Sequence, residues 1–347
     1  MEFAELNNDQ RRRLIDAKQA FSAWREADKD FRHGYRGTMR WKAVNKVDYL
    51  YRTYGAVKKS LGPRSPETER IKEDYMEQRA RLRQRSSRMK KRLEELDQLN
   101  RAYSLGRVPE TAARVLRALD QEGVLGKHLF VVGTHSLYAY ESRSGVLFDG
   151  GLTATTDIDL LLDSRRKLSL AFSDIRQEGV LGLLRRVDKT FAAQKDGFRA
   201  INDDGYYVDL IRPMRADEVK AAAEDSIGDN DDLEAAAIIG LQWLINAPKF
   251  EEIVVGADGR PLFMSCIDPR AFSLHKFWMS RRSDREPQKR KRDAAQARAV
   301  ATVATQYLDM PFQAKELSAL PLELVKGAKE PAGVAGRKSK RAVEVQA

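Results

Sequence analysis

The chain has 347 residues and carries 62 Lys and Arg against 51 Asp and Glu, a net charge of +11. That balance favours an acidic partner, nucleic acid first and anionic lipid second. One cysteine, Cys266, excludes a disulfide framework and a Cys-rich zinc site. The start, MEFAELNNDQRRR, is too acidic and polar for a signal peptide, and no apolar run could span a bilayer. A cytoplasmic protein with no membrane partner is expected.

Residues 5–33 show a helical pattern, with Leu6, Leu14, Ala17, Phe21 and Trp24 near one face and Gly34 and Gly37 ending it. Three short alternating runs follow: 39–44, 47–52 and 57–61. The breaks at Asn45-Lys46 and Tyr54-Gly55 predict a three-stranded antiparallel meander. Trp41, Tyr49, Tyr51 and Tyr54 interleave with Arg40, Lys42, Arg52, Lys58 and Lys59. This mixture suits base stacking with backbone contact. It equally suits a sheet whose aromatics pack on a neighbouring helix, which small sheets need.

Ser65-Pro66-Glu67 opens a helix, and neither Gly nor Pro recurs before Gly106. Some forty residues of helix would be roughly 60 Å long. Tyr75, Leu82, Met89, Leu96 and Tyr103 lie seven apart, but Gln78, Arg85 and Arg92 make the seam thin for a coiled coil. Between Arg79 and Arg92 stand eight basic residues and no acid, which reads as a nucleic-acid-facing arm or a solvated face. Pro109-Glu110-Thr111 opens a further helix to Leu119.

A strand-like run, Leu129 to Val132, stops at Gly133, and Thr134 to Glu141 reads as a helix. The next strand is Thr156-Asp157-Ile158-Asp159-Leu160-Leu161-Leu162. Residues two apart in a strand share a face, roughly 6.6 Å apart. Asp157 and Asp159 therefore aim at one point, while Ile158 and Leu160 face the core. Half-buried like charges are costly without a cation between them. Mg²⁺, which takes one or two carboxylates plus phosphate and water oxygens, answers that need. The Gly133-Thr134 turn at a helix start offers N–H groups to the same phosphates.

Helix is then expected over Arg165 to Ile175, and strands over Leu183 to Val187, Phe198 to Ile201 and Tyr206 to Ile211. Asp203-Asp204-Gly205 is a hairpin signal that would carry Asp209 back beside the Asp pair. Three carboxylates of this kind fit two-metal phosphoryl transfer. Strands are expected at Gly240 to Leu244, Glu252 to Val255 and Pro261 to Met264. Helices follow from Asp268-Pro269-Arg270 and over Arg285 to Ala304. A disordered tail runs from Lys326.

These residues resemble the polymerase-β-type nucleotidyltransferase superfamily, marked by apolar-Gly-[Gly/Ser], a gap, Asp-apolar-Asp, and a later strand Asp. The pieces VVGTHSLYAYE, TTDIDLLLD, YYVDLIRP, APKFEEIVVGADGRPLF and DPRAFSLHKFWMSRR are most similar to a bacterial nucleotidyltransferase-like family. They cover about 105 to 310, and the WKAV…YLYR…KSLGPRSPETE stretch ahead of them belongs to the same likeness. Two departures stand out: Thr134 replaces the usual Gly or Ser, and 23 positions separate it from Asp157. Arg143 to Thr155 must then form an insertion or lid.

The resemblance implies an α+β fold. Its polymerase-β-type nucleotidyltransferase mixed sheet would be flanked by helices and preceded by the small antiparallel meander and the long basic helix. The expected division is 1–64, a basic arm 65–104, a catalytic core 105–215, a completing region 216–325 and a tail 326–347. Asp157, Asp159 and Asp209 would be the catalytic and metal-binding residues, for two Mg²⁺ ions. Gly133, Thr134, Ser136 and Lys276 would contact the NTP, although a lysine in an amphipathic helix is often merely solvated. Asp293 would pair at helical spacing with one of the basic residues Arg281, Arg282, Arg285, Lys289 and Arg292. His135 has no second ligand at metal spacing and would sit in a helix near the nucleotide. Cys266 would pack in a strand.

The implied activity is transfer of a nucleoside monophosphate from an NTP to a hydroxyl, on nucleic acid such as tRNA by preference. Arg79–Arg92 and Arg281–Arg292 would hold that acceptor. The alternative is a nucleic-acid-binding module, or a toxin–antitoxin-type component, that uses the fold as a scaffold.

Overall fold

A computed structural model of the chain describes residues 3–35, 37–54, 57–163, 165, 173–214 and 232–313, with 317, 318, 320, 321, 324 and 325. The expected tail from Lys326, and most of the helix expected over Arg165 to Ile175, lie outside these residues. Two compact units are present: Arg12–Gly106 with Asp258–Pro261, and Met1–Arg11 with Arg107–Ala257 and Leu262–Ala347. No helix among the described residues is long and apolar enough to cross a membrane.

The chain starts with a short strand β1 (Phe3–Glu5) and the long helix α1 (Asn8–Gly34). The meander follows as β2 (Thr38–Val44), β3 (Val47–Tyr54) and β4 (Val57–Pro63), antiparallel throughout. Asn45 and Lys46 both take positive φ, 49° and 66°, the conformation that a two-residue hairpin turn requires. Helix α2 (Pro66–Ala102) begins with a capping box between Ser65 and Thr68 and with Pro66 in its first turn.

Met39, Leu50 and Tyr75 form a core between the meander and α2, with Tyr35, Trp41 and Leu61 packed around it. The Tyr75 hydroxyl donates to the carbonyls of Tyr35 and Gly37. Farther along α2, Ser86 donates to Asp28, Arg79 lies over Phe31 and Arg13 lies over Tyr103. Those pairings run in opposite senses, so α1 and α2 form an antiparallel hairpin. The thin heptad seam of α2 is thus partly covered from within the chain. Around these contacts α2 keeps Arg81, Arg83, Arg85, Arg88, Lys90, Lys91 and Arg92 exposed.

The other unit is built on an eight-stranded mixed sheet. Helix α3 (Glu110–Gln121) leads into β5 (Leu129–Val132), then α4 (Ser136–Ser144), β6 (Val146–Phe148) and α5 (Gly150–Thr153). Strand β7 (Asp157–Leu162) is followed by α6 (Ser173–Val187), β8 (Ala192–Ala193), β9 (Arg199–Ile201) and β10 (Tyr207–Pro213). The chain continues with β11 (Ala236–Ile238), α7 (Leu241–Asn246), β12 (Lys249–Val255), β13 (Pro261–Ile267), α8 (Pro269–Ser280) and α9 (Pro287–Gln306). The strand order is β12-β13-β5-β7-β10-β9-β8, with β11 also on β10. Every residue of β5 and β13 is buried, as strands covered on both faces should be. The α+β class and the mixed sheet flanked by helices are as expected.

Two expected strands are helices instead. Leu183 to Val187 closes α6, and Leu241 to Leu244 opens α7. In α7 the buried residues are Leu241, Leu244 and Ile245, a spacing of three and four that belongs to a helix. A short apolar run hides that period. The insertion between α4 and β7 is not loose: its strand β6 pairs antiparallel with β1.

The meander core yields a direct test. Leu50 is completely buried, so Leu50→Ala should lower stability to urea by about 2–4 kcal/mol. A loss below about 1 kcal/mol would mean that this sheet has no working core.

Candidate active site

The register of the sheet assembles the site. Strand β7 runs parallel to β10, pairing Asp159 with Asp209, and antiparallel to β5, pairing Asp159 with Val132. On the far side of β10, Arg199 of β9 is the antiparallel partner of Asp209. Val132, Asp159, Asp209 and Arg199 therefore form one row across four strands. Asp157 lies two residues up β7 on the same face, while Ile158 and Leu160 point the other way and are fully buried.

Oxygens of Asp157, Asp159 and Asp209 lie within 4.8 Å of one another. The electrostatic consequence falls on Asp159. Burial first, then the neighbouring charges of Asp157 and Asp209, push its carboxyl up to about 7, and Lys276 and Arg199 offset only part of this. Thr155 donates its hydroxyl to Asp157. The donor set is three hard carboxylate oxygens carrying more negative charge than their surroundings balance, and it fits Mg²⁺.

Arg199 was not anticipated from the sequence. Its Nε donates to Asp209 Oδ1 at 2.7 Å and its Nη2 to Oδ2 at 2.5 Å, a two-pronged pair that fixes the carboxylate plane. The Arg199 side chain is 34% exposed and that of Asp209 only 7%. The guanidinium also lies over the Tyr207 ring at 5.0 Å.

Gly133 begins a 3-10 turn, Gly133–His135, so the helix expected from Thr134 starts as a tighter turn before α4. Its φ is +67°, and an added Cβ would lie 2.2 Å from Asp159 Oδ2. Glycine is therefore required both for its backbone conformation and for its closeness to the carboxylate. Thr134 keeps its hydroxyl occupied, accepting from Arg292 Nη2 at 2.9 Å and Gln296 Nε2 at 3.3 Å. The same two α9 side chains donate to the carbonyls of Ala154 and Leu152. They tie the turn to the insertion that precedes β7.

Ser136 is fully buried and donates to the Val131 carbonyl. Its hydroxyl is not brought to the carboxylates. His135 is buried, and its Nε2 meets the Tyr206 hydroxyl at 3.1 Å. Burial pushes its pKa down to about 4, against the pull of Asp157. The ring is thus neutral near pH 7 and braces β7 and the β9–β10 turn.

Lys276, on α8, donates to Asp293 at 2.8 Å, and Arg285 donates to the other oxygen of that carboxylate at 2.5 Å. Burial works to raise the pKa of Asp293, but these two cations hold it below the ordinary value. Asp293 does not pair at helical spacing as expected. Its partners come from α8 and from the segment ahead of α9. The basic group Arg281–Arg292 is likewise divided, since α8 ends at Ser280 and α9 begins at Pro287. Arg282 pairs with Asp284 and Lys289 with Glu286. Cys266 is buried in β13, where burial pushes its thiol pKa up.

A family model described as Nucleotidyltransferase matches residues 110–321. No curated protein matches the chain, and no solved structure does.

The raised carboxyl of Asp159 fixes a pH dependence. Folded protein holds that proton to about pH 7, whereas the unfolded chain releases it near 3.8. Stability therefore falls as pH rises through this window. Without divalent cations, Asp159→Asn should melt several degrees above wild type at pH 8 and level with it near pH 4. Equal melting at both pH values would remove the like-charge account.

Arg199→Ala leaves Asp209 unpaired. It should lower cation-free stability by about 2 kcal/mol and enlarge the stabilisation that added Mg²⁺ gives in a thermal melt. Unchanged melting with and without Mg²⁺ would show that Arg199 does not neutralise the cluster.

Proposed function

The chain belongs to the nucleotidyltransferase family, and from that premise we propose that it transfers a nucleoside monophosphate from an NTP to a hydroxyl group, releasing pyrophosphate. The observation that carries this reading is the row Asp159–Asp209 with Asp157 above it, three carboxylates converging beside a glycine turn. Asp157, Asp159 and Asp209 would hold Mg²⁺, two ions in this reading, and the bound cations would neutralise the phosphates and acidify the acceptor hydroxyl.

The chain's own residues do the rest by position. Gly133 lets the backbone lie against Asp159. The N–H groups opening the 3-10 turn have no acceptor within it, and they are the donors that would meet phosphate oxygens. Arg199 orients the Asp209 carboxylate, which would take the acceptor proton. Lys276, held by Asp293, is fixed near Asp159 as a charge for the triphosphate. Arg292 and Gln296 hold Thr134 and the insertion together and so keep the turn in place.

Nucleic acid is the acceptor we favour. Helix α2 carries a groove of about 570 Å³ whose lining includes Arg79, Arg83, Arg88 and Lys91. The second basic group, Arg281–Arg292, is less suited, because several of its members are paired internally.

The test uses α-³²P-labelled NTPs with Mg²⁺ and total RNA, protein or small-molecule acceptors. Label should enter RNA with wild type and should fall at least about a thousand-fold with Asp157→Asn or Asp159→Asn. Retained transfer in both variants would refute the assignment of the site.

A further inference from the structure

The two faces of the meander differ in kind. Its inner face carries Met39, Leu50 and Leu61 into the core with Tyr75, and Trp41 packs there too. Arg64 and Lys72 lie over the Trp41 ring at 5.3 and 5.6 Å. Trp41, one of the four aromatics that suited base stacking, is thus occupied. The packing alternative holds for Trp41.

Strand alternation sends Tyr49 and Tyr51 to the opposite face from Leu50. Both are half-exposed. Register places Lys42 beside Tyr49, and Arg40 beside Tyr51. Ser60 flanks Tyr51 from the other strand, and Lys58 pairs with Thr53 one pleat along the same face. Arg40, Lys42 and Lys58 are exposed, and among the described meander residues no acid shares this face. The Lys58 ammonium lies 4.9 Å from the centre of the Tyr51 ring.

Lys42 and Lys58 come from the two outer strands, yet their ammonium groups are close neighbours: the charge of Lys42 lowers the pKa of Lys58. Two neighbouring cations in open solvent, one of them over the Tyr51 ring, form a seat for an anion between them. Flat rings beside paired cations match a base and its phosphate. Duplexes hide their base faces, whereas loops and free ends of RNA present them.

We infer that the outer face of the meander is a platform for single-stranded RNA, with bases on Tyr49 and Tyr51 and phosphates at Arg40, Lys42 and Lys58. That this RNA is also the acceptor rests on the proposed transfer to nucleic acid; the binding itself does not.

The test is fluorescence anisotropy of the full chain with a labelled twelve-nucleotide RNA, without NTP or divalent cations. Binding should favour the single strand over the same sequence as duplex. Tyr49→Ala and Tyr51→Ala should each weaken it about ten-fold, with Tyr49→Phe and Tyr51→Phe close to wild type and melting temperatures unchanged. Lys42→Gln with Lys58→Gln should flatten the logarithmic salt slope by about 1.4. Asp157→Asn should bind RNA as wild type does, so loss of transfer alone touches only the catalytic reading. Equal or tighter binding of duplex or of single-stranded DNA would overturn the platform. So would tyrosine variants within two-fold of wild type, or polyglutamate competing as well as RNA at equal charge.

Discussion

Strand register is the constraint on which the site depends. A strand has a side-chain period of two, so a slip of one residue between β7 and β10 would send Asp209 to the opposite face from Asp157 and Asp159. The same slip would bury charge where Ile158 and Leu160 now sit. Register is held by full burial of those two side chains together with Val208 and Leu210. The apolar face of the sheet thereby fixes the polar one. Arg199 lies in this row because β9 pairs antiparallel with β10, bringing a cation to the third carboxylate.

The cluster also holds a local electrostatic conflict. Three carboxylates within 4.8 Å repel one another, and Asp159 answers by holding its proton to about pH 7. Arg199 and Lys276 reduce the repulsion without removing it. A bound cation would relieve that repulsion and add stability by mass action. Gly133 belongs to the same compromise, because any side chain there would strike Asp159. The glycine serves the carboxylate at least as directly as it would serve a phosphate.

Much of this was legible in the residues. The period-two acids in an apolar run, a third acid in a later strand and a glycine stop before a helix point to the cluster. Asn45-Lys46 gave a meander turn, and Ser65-Pro66 gave the start of α2. Long-range partners were less legible. Nothing near Phe3 announces its pairing with Phe148, and nothing near Thr134 points to Arg292 and Gln296 on α9. Arg199 left a trace, since a hairpin centred on Asp204 carries position 209 onto position 199. The end of α6 and the start of α7 read as strands because five-residue runs with three large apolar members fit either period, and burial of Leu241, Leu244 and Ile245 settles it only in three dimensions.

In the proposed reading, one sheet row and the residue above it make a cation site for a nucleotide. Crystals grown with Mn²⁺ and a non-hydrolysable NTP analogue test it through the anomalous signal of manganese. Anomalous density is expected among the oxygens of Asp157, Asp159 and Asp209, with the triphosphate at the Gly133 turn. Manganese bound elsewhere, with these carboxylates still turned to Arg199 and to one another, would contradict it.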